Sequence, residues 1–347
     1  MSTLAIDEIE DERLADAQRV IEYCYEQGWT DGLPVVPPVE SLVREFVDYV
    51  KRDPQEVVVT VPHLDRVLTV ELAAANAVMA GCRPEYFPIV LAAIEALDRG
   101  NFGWYFSQST TGRSAPIIIN GPIRQRYGFN SGVNVFGPGH RANATVGRAV
   151  RLIIANGLGI RPGEFDQSTQ GNATKYSFCI AENEEDSPWE PLHVERGFSP
   201  ETSTVTAFYT RSSMHVENRE SNNPEEVLLT IADSMSYGGL VEYDRRGHTV
   251  VMGPEHAQLL ARKGWSKQDA KQFLWEHWGR RRADIRSFGF ISRLTEGPED
   301  EFIRFGESPD AIVLIVAGAN SAGLSTVVTG RPHLDMTNVI HEPGPVA

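Results

Sequence analysis

Ala311-Ile-Val-Leu-Ile-Val-Ala317 is a short, unbroken apolar run bounded by turn residues, the pattern of a buried strand. It enters Gly318-Ala-Asn-Ser-Ala-Gly323 and leaves as a second strand, Ser325 to Val328. A strand emptying into such a loop is a common ligand position in α/β folds, which makes Asn320 and Ser321 candidate substrate contacts. A hairpin loop with no ligand is the alternative reading. Further strands are expected at 57–61, 116–120, 176–181, 203–209 and 249–252.

Between them, apolar residues recur at helical spacing. Helices are expected at 7–27, 40–51, 69–80, 85–97, 142–156, 224–235 (ended by Gly238-Gly) and 256–263. Another starts at Trp265-Ser-Lys-Gln-Asp and reaches to about Arg282, so that Arg280-Arg-Arg282 is a solvated helix end. The mixture predicts an α/β (or α+β) fold, mixed sheets with flanking helices, in two sub-domains. The expected parts are a helical, proline-rich segment at 1–55, a Gly-loop α/β domain at 56–200, a second α/β domain at 201–330, and a tail at 331–347.

The chain of 347 residues carries a formal charge of −15, which argues against a nucleic-acid backbone or an anionic membrane as partner. It has no long apolar run of membrane-spanning length, and its first residues are acidic. Its three cysteines, Cys24, Cys82 and Cys179, are too few and too scattered for a disulfide framework. A cytoplasmic protein, forming a homo-oligomer, is the expectation.

Chemistry concentrates in Lys175-Tyr-Ser-Phe-Cys-Ile-Ala-Glu-Asn-Glu-Glu-Asp-Ser-Pro-Trp-Glu-Pro-Leu-His-Val-Glu-Arg-Gly197, read as a buried strand opening into an acidic, proline-broken loop. If the return through Leu192–Arg196 is extended, His193 and Glu195 share a face. His193 is then the natural acid/base at neutral pH, with Glu182, Glu184 and Glu195 as carboxylate partners. Met214-His-Val-Glu repeats the same tripeptide, so His193, Glu195, His215 and Glu217 together could form the first shell of a divalent metal.

Two other stretches carry candidates. Gly128-Phe-Asn-Ser-Gly-Val-Asn-Val-Phe-Gly-Pro-Gly-His-Arg-Ala-Asn143 runs into a helix. Backbone N–H groups there, with Asn130, Ser131, Arg141, Asn143 and Arg148, suit an anion; a purely structural role for the glycines is the alternative. Neither a phosphate-loop lysine nor dinucleotide-type glycine spacing is present. Cys82 lies between two helices, near a helix N-terminus that could lower its pKa and make it a nucleophile; a small buried residue in a tight junction is the alternative.

Asp31-Gly-Leu-Pro-Val-Val-Pro-Pro38, Asn76-Ala-Val-Met-Ala-Gly-Cys-Arg-Pro-Glu-Tyr86, Gly137-Pro-Gly-His-Arg-Ala-Asn143 and Lys175–Glu184 with Pro188-Trp-Glu-Pro-Leu-His-Val-Glu-Arg-Gly197 together resemble a broad bacterial family associated with proteins that carry a (seleno)cysteine-Gly-Ser-Cys motif. The resemblance covers most of the chain. It implies thiol- or selenol-linked redox or lyase chemistry, with a thiol or selenol partner protein, since this chain has no Cys-Gly-Ser-Cys of its own.

The function expected is an enzyme acting on a small polar or anionic substrate, by lyase, hydrolase or thiol-linked redox chemistry. It would use the Glu/His cluster, with or without a divalent metal, or Cys82. The alternative from another class is a non-catalytic subunit or binding module.

Overall fold

Alternation along a few short strands sets the layering. Ile117 and Ile119 pack with the helices of the first half of the chain, whereas Ile118 between them packs the opposite way. Ile312, Leu314 and Val316 likewise face the helices of the second half, and Val313 and Ile315 join Ile118. Side chains two apart share a face, so each sheet turns one face to helices and the other to the second sheet. The result is four layers: helices, sheet, sheet, helices.

The computed structural model describes residues 11–100, 104, 108, 110–236, 247–289 and 293–343. The expected helix start at Asp7 and the Gly238-Gly stop lie outside them. Helices α1 (Asp11–Glu26) and α2 (Glu40–Val50) and a hairpin of β1 (Val57–Val61) and β2 (Arg66–Thr69) come first. Then α3 (Val70–Met79) starts where the Thr69 hydroxyl accepts the Leu72 N–H.

From there the chain runs through the same succession twice. The first pass is α4 (Phe87–Arg99), β3 (Ile117–Asn120), α5 (Ile123–Arg126), α6 (Arg141–Leu152), β4 (Cys179–Ala181), the short α7 (Leu192–Glu195), β5 (Thr204–Ala207) and β6 (Ser213–Glu217). The second is α8 (Pro224–Met235), β7 (His248–Met252), α9 (Pro254–Arg262), α10 (Lys267–His277), an inserted β8 (Gly279–Arg281), α11 (Arg282–Ser287) and β9 (Phe302–Arg304), then β10 (Ile312–Val316), β11 (Leu324–Thr329) and β12 (Thr337–Val339).

The two main sheets have the orders β4-β3-β5-β12 and β10-β7-β11-β6. In each, the first pair is parallel and the next two are antiparallel. The last strand of each pass crosses over: β6 completes the second sheet and β12 the first. Local details repeat as well. Each parallel pair ends in a Gly-Pro turn into a helix, at Gly121-Pro122 and Gly253-Pro254. A Cβ on Gly121 would come within 2.4 Å of the Thr202 carbonyl oxygen, and one on Gly253 within 2.1 Å of that of Leu324. Both helices close on a left-handed glycine followed by an aromatic residue, with Phe129 N–H reaching Arg124 O at 2.8 Å and Trp265 N–H reaching Leu260 O at 3.0 Å.

An α/β fold with mixed sheets is therefore present. A line near residue 200 does not separate the sheets, because β5 lies beyond it yet pairs with β3, and β12 returns from the expected tail to pair with β5. The helix expected to reach Arg282 stops at His277. Its N-terminus is a capping box between Ser266 and Asp269, but Trp278 turns extended and is fully buried, which draws the next residues into β8. Arg282 is buried rather than solvated, its Nε donating to Pro298 O at 3.0 Å.

Candidate active site

The strands β3 and β4 run parallel and end side by side, at Asn120 and Ala181. Outside the carboxyl ends of parallel strands is where α/β sheets place ligands, because the chain there leaves the sheet and opens a crevice. Here the next residues are Gly121 and Glu182, and a polar cluster fills the space.

Glu182 is fully buried. Its Oε2 accepts from Asn120 Nδ2 at 2.6 Å and from the Leu192 N–H at 2.9 Å. That second bond captures the first N–H of α7 and starts a helical turn where an extended segment is expected from the sequence. Residues two apart do not share a helix face, so His193 and Glu195 part company. His193 turns into the cluster, and Glu195 turns to α10, pairing with Lys267 at 2.6 Å and Lys271 at 3.1 Å.

Glu184 Oε1 accepts from the Gly121 N–H at 2.8 Å and from Asn120 Nδ2 at 3.0 Å, and its Oε2 meets Arg124 Nη2 at 2.8 Å. Arg124 is buried and spends its fork inside the cluster. Nη1 donates to Glu182 O at 2.7 Å and to Glu185 Oε2 at 3.1 Å, and Nε donates to Gly121 O at 3.1 Å. His193 is fully buried; its Nε2 lies 3.4 Å from Pro200 O and its Nδ1 3.9 Å from Glu184 Oε1. A carbonyl only accepts, so Nε2 carries the proton and Nδ1 of the neutral ring keeps its lone pair.

Burial pushes the Glu182 carboxyl up, despite Lys267 and the hydrogen bonds of Leu192 and Asn120. Burial also pushes the His193 imidazole down, against the opposing charge of Glu184. The cluster thus holds a carboxylic acid biased to keep its proton and an imidazole biased to stay neutral. Four buried atoms within it make no hydrogen bond: Asn120 Oδ1, Glu182 Oε1, His193 Nδ1 and the hydroxyl of Thr204, the register partner of Asn120.

The remaining candidates stand elsewhere. Cys82 is buried, and desolvation pushes its thiol up to about 12, outweighing Thr145 and Arg141; the helix end does not make it a thiolate. Cys179 is buried and raised for the same reason. The loop read as an anion cradle is knitted to itself. Asn143 Oδ1 accepts the Asn130 N–H at 2.8 Å, and its Nδ2 donates to Cys179 O at 3.1 Å. Asn130 Oδ1 in turn accepts the Gly132 N–H at 3.0 Å. Arg141 Nε donates to Gly81 O at 3.1 Å. Arg148 is bound twice to Asp31, at 2.8 Å each, and to Pro34 O at 2.9 Å. These donors hold the N-terminal segment and the turns instead of facing a ligand.

Ser131 O accepts the Gly318 N–H at 2.8 Å, so the two loops do touch; Asn320 Nδ2 reaches Gln258 Oε1 at 3.2 Å, and Ser321 is exposed. The two His-Val-Glu tripeptides do not meet in one shell. His215 sits on β6 with Thr326 Oγ1 at 3.0 Å, and Glu217 pairs with Arg219. Among the described residues no group of three or more His, Cys, Asp or Glu is placed to hold a metal ion.

Sequence reading missed Asn120, Arg124 and Thr204. The available signal was Asn120-Gly121-Pro122, a polar residue at a strand end before a forced turn. No family profile, characterised protein or solved structure compared with this chain matches it.

Proposed function

We propose that the protein is an enzyme that moves a proton on a small polar molecule at the Glu182–Glu184–His193 cluster, in a lyase or hydrolase reaction. His193 Nδ1 is the base, Glu182 the proton donor, and Glu184 the charge that stabilises the imidazolium once it forms. Arg124 fixes Glu184, and Asn120 ties the two carboxylates together. The observation that carries the reading is the set of four unpaired buried polar atoms in one cluster. A purely structural network gains by pairing all its members, whereas groups kept for a reacting molecule do not pair with each other. A carboxyl pushed up by burial and an imidazole pushed down by it, in one cluster, are perturbed in the directions that suit a proton donor and a neutral base. The cluster meets solvent at Glu184, whose side chain is 15% exposed.

The test is an untargeted turnover assay. Purified protein is incubated with a small-metabolite extract and the mixture followed by mass spectrometry, beside His193→Asn and Glu182→Gln. The wild type is expected to consume at least one polar metabolite that both variants leave intact. Turnover by the variants at the wild-type rate, or no turnover by any, counts against the assignment.

A further inference from the structure

At the other end of β4, on the side of Lys175 and Tyr176, lies a cleft of about 810 Å³, a size suited to a metabolite. One wall is the end of α6, where the helix widens into a π-turn at Ile153–Gly157 and presents Ala155 and Asn156 to the cleft. Such π-turns are frequent at functional sites. The other wall is the loop that begins at Arg161. The carbonyl of Arg161 accepts the N–H groups of Glu164 at 3.2 Å and Asp166 at 3.0 Å, so the loop is held by its own backbone.

Three cations line the cleft, Arg151, Arg161 and Lys175, with Asp31, Asp166 and Glu164. The carboxylates are mostly committed. Asp31 is taken by Arg148, and Asp166, with a side chain 1% exposed, is held by Lys175 at 2.7 Å and Arg151 at 2.9 Å. Arg161 is different: it has no ion pair among the described residues, and its Nε is buried without a hydrogen-bond partner. Behind Arg151 and Lys175 lies a recess of about 10 Å³ lined by Arg113, Ser114 and Thr174.

We propose that this cleft binds a small molecule through a phosphate or carboxylate group, with Arg161 as its fork-shaped anchor and Arg151 and Lys175 beside it. The site is distinct from the Glu182–His193 cluster, since Lys175 precedes β4 and Glu182 follows it, and it stands or falls independently of the proposed reaction.

The experiment is isothermal titration calorimetry with two probes, pyrophosphate and citrate, on wild-type protein, Arg161→Gln, Arg161→Lys and the surface control Arg44→Gln, with folding checked by circular dichroism. At least one probe is expected to bind the wild type and Arg44→Gln alike. Arg161→Gln should weaken it by about 10-fold or more, with an intermediate loss for Arg161→Lys, which keeps charge but not the fork. The probe that binds identifies the anion class. Binding of neither probe overturns the proposal, as does equal binding by wild type and Arg161→Gln. If Arg161→Gln does not fold, Arg161→Lys decides, and wild-type affinity in that variant counts against the fork.

Discussion

Nδ1 of His193 stands 3.9 Å from Oε1 of Glu184, within reach of an imidazolium charge and beyond hydrogen-bond distance. Glu184 raises the pKa of His193 while burial lowers it. The base works only when neutral, so activity should rise with pH through the pKa of His193, below its ordinary value. Glu184→Gln removes the raising charge and should shift that acidic limb to lower pH. His193→Asn should cost about 100-fold or more in kcat/KM. A limb unmoved in Glu184→Gln argues that His193 is not the titrating group.

Glu182 supplies a stability test that needs no substrate. Its carboxyl is raised in the fold by burial, so its contribution is complete below the unfolded value of about 4.3 and is lost as pH rises through the folded value. Glu182→Gln keeps the shape of the protonated acid and has no proton to lose. Urea midpoints should be nearly equal for the two proteins at about pH 4, below the unfolded value, with the variant ahead at pH 8. A variant that trails the wild type equally at both values would place an ionised carboxylate in the fold.

His248 contributes to the acid side. It is buried on β7 against Trp278, with ring centroids 4.7 Å apart, and burial pushes its pKa down to about 4. Below about 6.5 the unfolded chain takes up a proton that the fold refuses. Stability should therefore fall between pH 6.5 and 4, by up to about 3 kcal/mol from this group. His248→Leu should flatten that slope, read from melting temperatures across the range, even where it lowers the plateau.

The thiol at Cys82 should be inert in the native protein. With its pKa pushed up to about 12 by burial, the thiolate fraction at neutral pH is negligible. Iodoacetamide should label Cys82 only after denaturant is added, and treatment of native protein should leave turnover unchanged. Rapid native labelling mapped to Cys82 would restore it as a nucleophile.

The elements legible in the sequence were those whose signal is local. Ala311–Ala317 became β10, and Thr69–Ala80 became α3 with Thr69 as its cap, because burial pattern and capping act within a few residues. Of the candidate site, Glu182, Glu184 and His193 converge. The extended reading of Leu192–Arg196 missed a tertiary event, the capture of the Leu192 N–H by Glu182, just past the end of β4. Arg148 looked like a ligand because Asp31, far away in sequence, carried no mark of being its partner. Propensity cannot report a pairing that only the finished fold creates.

The crossing of β6 and β12 also dictates the order in which the two sheets can be completed. On a ribosome, the second sheet has all four of its strands once Leu324–Thr329 emerges, since β6 was made long before. The first sheet must keep β5 as a bare edge until Thr337–Val339 arrives to latch it. An exposed strand edge is a template for unwanted pairing, so β5 stays vulnerable for as long as it takes the chain to reach β12. Once latched, each half carries a strand of the other, and neither can peel away without opening both.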